Sequence, residues 1–185
     1  MADTASEQLA RIVIQGLAQG KEVEIDGLGV FLPDADCGFR FEPMGQPSVF
    51  IAYAKEDQPR AERLYDDLEA AGFRPWMDVR KLLPGQNWPR AIEHAIETAD
   101  FFVACFSGHS VRKKGGFQSE IRYALDCARL MPLDQIYVVP IRLDACSLPR
   151  TIQREFQYID LFPDRQRGVR RLLSTLRREA ETRFI

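Results

Sequence analysis

Six consecutive residues, Phe101-Phe102-Val103-Ala104-Cys105-Phe106, are apolar on both faces of any extended conformation. So short a run suits a strand buried on both sides, as in a sheet covered by helices above and below. A polar, glycine-containing loop follows from Ser107 to Gly116. Apolar residues then return at Phe117, Ile121, Ala124, Leu125 and Ala128, the spacing of one helical face. The stretch therefore predicts strand, long polar loop, helix. Glu120 lies at the start of that helix, on the shoulder of its apolar face. A carboxylate there is either a charge favoured by the helix dipole or a group with chemistry to do.

The same rhythm runs through the chain from Ser48 onward. Strands are expected at Ser48–Tyr53, Phe73–Met77, Phe101–Phe106, Gln135–Leu143 (bulged or cut short at Pro140) and Tyr158–Leu161. Asp57 is a suitable N-cap for a helix with Ala61, Leu64, Leu68 and Ala71 on one face, stopped by Gly72. Asp78 to Asn87 is expected as loop. Asn87 then caps a helix with Trp88, Ile92, Ala95, Ile96 and Ala99 inward. A last helix from Gly168 to Phe184 has Val169, Leu172, Leu173 and Leu176 inward and Arg170, Arg171, Arg177 and Arg178 outward. Alternating strands and helices imply a parallel sheet with helices on both faces. Five strands suit a flavodoxin-like order, in which the first and third are neighbours at the topological switch point. Ligands bind such sheets outside the carboxyl ends of the strands at that point. Here those ends are Tyr53-Ala54-Lys55-Glu56-Asp57 and Ser107, and the loop after Ser107 feeds directly into Glu120.

Residues 1–47 are different in character. They hold three basic residues against eight acidic ones, a net of about −5, whereas the rest holds 22 against 19. A short helix over Ser6–Ala18, a strand at Lys21–Asp26 and two more at Val30–Leu32 and Phe39–Phe41 make a small α+β appendage, with a turn at Pro33–Asp36. Pro43 to Pro47 reads as a linker to the main domain, 48–185. The whole chain carries a net charge of −2, which argues against nucleic acid and against an anionic membrane surface. It contains no apolar run of about 18 residues, the length that spans a bilayer. The start, MADTASEQ, lacks the basic and apolar parts of a secretory leader. A cytoplasmic location with four reduced, mostly buried cysteines (Cys37, Cys105, Cys127, Cys146) is expected. Two scattered histidines, His94 and His109, offer no metal-ligand spacing.

SVFIAYAKED, ERLYDDLEAAGF, PWMD, LLPGQNW, ADFFVACFS with the glutamate beyond it, and PIRLDACSLP follow one another in the order and spacing of a bacterial Toll/interleukin-1 receptor (TIR) domain, which residues 48–162 resemble. The resemblance implies the TIR fold and a mobile loop after the second strand. It also implies cleavage of NAD⁺, as substrate and not cofactor, at the nicotinamide–ribose bond. The essential glutamate of active members maps onto Glu120. Substrate-binding roles are expected for Tyr53, Ala54 and Lys55 after the first strand, and for Asp78, Leu83 and Trp88 around the mobile loop. Phe117 is the nearest aromatic to Glu120. Ser107 either donates to the substrate or caps its own turn. Departing nicotinamide leaves an oxocarbenium-like sugar that an anion stabilises, so neither a metal nor a second acid is required. Water attack gives ADP-ribose; attack by an adenine nitrogen gives a cyclic product.

Active relatives carry an aromatic residue four positions before the glutamate, where this sequence has Gly116. The resemblance therefore allows two readings. One is an NAD⁺-consuming effector of bacterial antiviral defence, switched on by TIR–TIR self-association. The other is a non-catalytic module that binds partners. A third class, a nucleoside-processing enzyme of similar topology, is open on the sheet alone. A response-regulator receiver is disfavoured because Ser107 stands where a phosphorylatable aspartate is needed. Leu9 to Pro43 weakly resembles the HU/IHF core, but its acidity opposes phosphate binding. It is read as an appendage for protein contact, with a partner or sensor, or for self-association.

Overall fold

The computed structural model describes residues 5–25, 29–34, 38–43, 46–82, 85 and 87–183. The chain divides into two compact units, Met1–Gln46 and Pro47–Ile185.

In the first unit, helix α1 (Ala5–Ala18) precedes an antiparallel sheet of order β1-β2-β3, with β1 Val23–Ile25, β2 Gly29–Asp34 and β3 Gly38–Pro43. Phe31 packs against Phe39 and Phe41, with ring centroids 5.7 and 4.6 Å apart. The turn expected at Pro33 is instead strand, with Pro33 opposite Phe39. β1 reaches only as far as Phe31, so Pro33 has a neighbouring strand on one side alone, where a sheet tolerates a missing N–H. On α1, Val13 is buried, whereas Ile12 and Ile14 are exposed.

The second unit is a parallel sheet of order β5-β4-β6-β7-β8. Its strands are β4 Ser48–Ala52, β5 Arg74–Trp76, β6 Phe101–Phe106, β7 Val138–Arg142 and β8 Ile159–Asp160. Counted within the domain, the first and third strands are adjacent, the flavodoxin-like order expected. Strand alternation splits the core in two. Val49, Ile51, Phe101, Val103, Cys105, Val139 and Ile141 face α2 (Gln58–Ala70) and α7 (Arg165–Arg183). Phe50, Ala52, Phe102, Ala104, Phe106 and Val138 face α4 (Trp88–Thr98), α5 (Gly116–Ala128) and α6 (Arg150–Glu155). All six residues of β6 are buried, as a central strand between two helical layers must be. The thiols of Cys105, Cys127 and Cys146 are free; Cys37 lies outside the described residues.

β7 runs unbroken through Pro140, which pairs with Ala104, against the expected bulge or early end. Tyr137 and Leu143 bond toward β6, and Arg142 bonds toward β8. Alternation therefore turns Pro140 toward β8, whose pairing begins only at Ile141. The missing N–H falls just outside the ladder. Part of the loop expected after β5 is helical, α3 (Asp78–Lys81). The last helix begins three residues earlier than expected, because the Asp164 carboxylate accepts from the Arg167 N–H at 3.0 Å and opens the first turn there.

That earlier start places Gly168 inside α7. A β-carbon on it would lie 2.3 Å from the Asp160 carbonyl oxygen and 2.7 Å from Leu161 Cδ2. The glycine therefore lets α7 seat against the end of β8. Gly168→Ala is expected to destabilise the domain by about 1–3 kcal/mol through overpacking, read as a lower chemical-denaturation midpoint. An unchanged midpoint would mean that α7 shifts freely on the sheet.

Candidate active site

β4 and β6 lie side by side with their carboxyl ends aligned, Ala52 opposite Ala104. The chain leaves β4 toward one face of the sheet, through a turn of 3-10 helix at Lys55–Asp57 and into α2. It leaves β6 toward the other, through a second such turn at Ser110–Arg112 and into α5. The divergence opens a cleft of about 470 Å³, within the usual range for small-molecule sites. Tyr53, Ala54 and Lys55 line it from β4; Asp78 and Val79 from α3; Trp88 from α4; Phe117 and Glu120 from α5. Seven of the nine residues singled out in the sequence thus come together: Tyr53, Ala54, Lys55, Asp78, Trp88, Phe117 and Glu120. Leu83 lies outside the described residues.

Glu120, half-buried in the second turn of α5, is the electrostatic centre of the cleft. Burial, and then the negative charge of Asp78, push its carboxyl from an ordinary 4.5 up to about 7. Asp78 is fixed in turn: its Oδ1 accepts from the Tyr53 hydroxyl at 2.5 Å and from the Val79 N–H at 2.8 Å. Burial and the bond to Asp78 raise the Tyr53 phenol far above its usual range, so Tyr53 stays a donor at any working pH. The Phe117 ring stands edge-on to Phe106, centroids 5.6 Å apart, and is held as a wall of the cleft. At Gly116 a β-carbon would sit 3.8 Å from Glu120 Oε1, an ordinary contact distance, so a side chain there would abut the carboxylate without clashing.

Three expectations need correction. Trp88 does not turn inward with Ile96; it is 62% exposed at the rim of the cleft. Its position as the first residue of α4, directly after the Asn87 cap, places it ahead of the helix's packed face. Ser107 is not in the cleft at all; of the two roles expected for it, it caps its own turn and does not face the substrate. It is fully buried, its Oγ donating to Asp57 Oδ2 and accepting from the His109 and Ser110 N–H groups at 3.1 Å each. Asp57, positioned as the N-cap of α2, makes no side-chain cap bond; it is 2% exposed and spends its carboxylate on Ser107. The two residues lock the loop after β4 to the loop after β6 beneath the cleft. Ser110, Val79 and Gln58, which sequence reasoning passed over, do line it. All three sit within five residues of a strand's carboxyl end or a residue already singled out, and that proximity was the available signal. Among the described residues, no group of three or more His, Cys, Asp or Glu side chains is placed to hold a metal ion, and no helix is long and apolar enough to cross a membrane.

The family model for the TIR domain matches residues 49–173, which is most of the chain and all of the five-stranded sheet but Ser48. The chain belongs to the TIR-domain family. This TIR protein is 26% identical over 145 residues to the uncharacterized protein y4cD of Sinorhizobium fredii, a stretch covering 78% of this chain and 22% of that protein. It thus spans about a fifth of that relative's length. Its fold is similar to the TIR domain of the Toll-related receptor TRR-2 from Hydra magnipapillata, with a TM-score of 0.58 and 23% identity over 70% of this chain and 97% of the other. It is also similar to the TIR domains of the activated Roq1 resistosome, with a TM-score of 0.57 and 15% identity over 70% of this chain and 99% of that one. At these identities the likeness concerns the fold alone. The HU/IHF resemblance of the N-terminal segment gains no support from these comparisons.

Proposed function

We propose that this TIR domain cleaves NAD⁺ at the nicotinamide–ribose bond, with Glu120 as its catalytic carboxylate. The observation that carries the reading is a single half-buried glutamate, held near neutrality, in a cleft at the sheet's switch point. The leaving nicotinamide takes the bonding electron pair and becomes neutral, and positive charge develops on the ribose. An ionised, half-buried Glu120 stabilises that charge from a fixed position in the cleft. Asp78, anchored by Tyr53, adds a second negative charge on the same side, and the Phe117 face offers an apolar surface to the pyridine ring. The biological setting that fits is a bacterial antiviral effector activated when copies of the domain assemble.

The test is incubation of concentrated protein with NAD⁺ and measurement of released nicotinamide. Release supports the reading, and its absence under assembling conditions sinks it. A non-catalytic, partner-binding TIR module is the second reading. It is favoured by Gly116, which leaves the Glu120 carboxylate without an aromatic neighbour one turn before it. Retained partner binding without nicotinamide release would select it.

Protonation of Glu120 sets the pH dependence. With its carboxyl near 7, the anion needed for catalysis is depleted below that pH and complete above it. kcat/KM for NAD⁺ is expected to rise roughly tenfold per pH unit below about 7 and to level off above it. A flat profile from pH 5 to 9 would separate catalysis from this carboxylate.

A further inference from the structure

Beside the Glu120 cleft lies a shallow depression lined by Glu56, Gly108, His109, Arg112 and Lys113. Lys113 belongs to both walls, and its Nζ pairs with Glu56 Oε1 across the boundary. The two depressions together form one groove along the switch point, interrupted by that single ion pair. The groove is asymmetric in charge. Glu120 and Asp78 line the first depression, together with Lys55 and Lys114, while the second has no carboxylate but Glu56 and holds Arg112; Lys113 is common to both. Among the described residues, no carboxylate forms an ion pair with Lys55, Arg112 or Lys114. Both partners of the Lys113–Glu56 pair are substantially solvent-exposed, so the pair is weak and readily exchanged.

We propose that this depression is a phosphoryl-binding subsite of the groove, kept closed by Glu56 until a substrate diphosphate takes Lys113 from it. The identity of the substrate as a dinucleotide rests on the NAD⁺-cleavage reading; the anion subsite does not. A molecule with a cationic ring at one end and a diphosphate in its middle matches the order of charges along the groove. The ring end meets Glu120 and Asp78, and the diphosphate meets Arg112 and Lys113. Guanidinium and ammonium donors to phosphate oxygens form charge-assisted bonds stronger than the exposed ion pair they replace. Glu56 is thus a competitor for Lys113, and the two halves of one ion pair have opposite effects on binding.

The test is calorimetric titration of inorganic pyrophosphate into the full chain and its variants. Arg112→Ala and Lys113→Ala are each expected to weaken binding about tenfold. Glu56→Gln is expected to tighten it about two- to fivefold, the range of an exposed ion pair, and Glu120→Gln to leave it unchanged. In turnover, Arg112→Ala is expected to raise KM for NAD⁺ with kcat unchanged. Weaker or unaltered pyrophosphate binding in Glu56→Gln overturns the proposal. So does pyrophosphate binding that responds to the variants while KM for NAD⁺ does not, since the site would then serve a free anion outside the substrate groove. If no nicotinamide is released but the titrations follow the expected pattern, the subsite stands and the NAD⁺ reading alone has failed.

Discussion

Glu120→Gln is expected to cut nicotinamide release by about 100- to 1000-fold, the scale on which a single preorganised electrostatic group acts, and at the same time to make the domain more stable above pH 7. The two effects share one cause. The carboxyl titrates near 4.5 in the unfolded chain and about 7 in the fold. Between those values the folded protein holds a proton that the unfolded chain has released, so stability falls as pH rises through this window. Above about 7 the cost of the buried anion is fully present. Glutamine keeps the shape without the charge. The melting temperature of Glu120→Gln should therefore exceed that of the wild type at pH 8, and the gain should shrink toward pH 4. A variant that is inactive and also less stable at pH 8 would identify Glu120 as a structural group.

The second large effect is expected at Ser107. Ser107→Ala removes the donor to Asp57 Oδ2 and the acceptor for two backbone N–H groups. Asp57 is left 2% exposed, with Arg60 Nη1 at 3.7 Å from its other oxygen. Stranding a buried carboxylate and two amides costs about 2–4 kcal/mol, enough to lower the denaturation midpoint clearly. If Ser107 instead served the substrate, the same change would raise KM and leave stability alone. Comparing midpoint with KM distinguishes the two roles.

The contrast between Glu120 and Ser107 shows how far the sequence could be read. The buried strand at Phe101–Phe106 and the period of α5 are local patterns of apolar residues, so they were legible. The strand order then placed Glu120 at a crevice. Burial of Ser107 depends on Asp57, fifty residues away, and no local pattern carries it. The adjacency of β4 and β6 was the only hint that their trailing loops would be tied together. α6 has a single buried residue, Ile152, and α3 has none; without a repeating apolar face, neither announces itself as a helix. Pro140 misled for a related reason. Whether a proline interrupts a sheet depends on what lies on its N–H side, and that is a property of β8, not of β7.

The division of the core by the sheet has a consequence for how the cleft responds to change. The α2 and α7 layer and the α4, α5 and α6 layer have no residue in common. Lys55 and Gln58 ride with the first layer, while Phe117 and Glu120 ride with the second. The two sets are jaws of a caliper joined by the backbone of β4 and β6, one strand spacing of about 4.8 Å apart, and by the Ser107–Asp57 bond beneath the cleft. Away from those ties and from the Tyr53–Asp78 pair, which bears on Glu120, each layer can repack or diverge in sequence without touching side chains of the other. What such drift alters is the gap, and with it the size of the molecule that can be gripped.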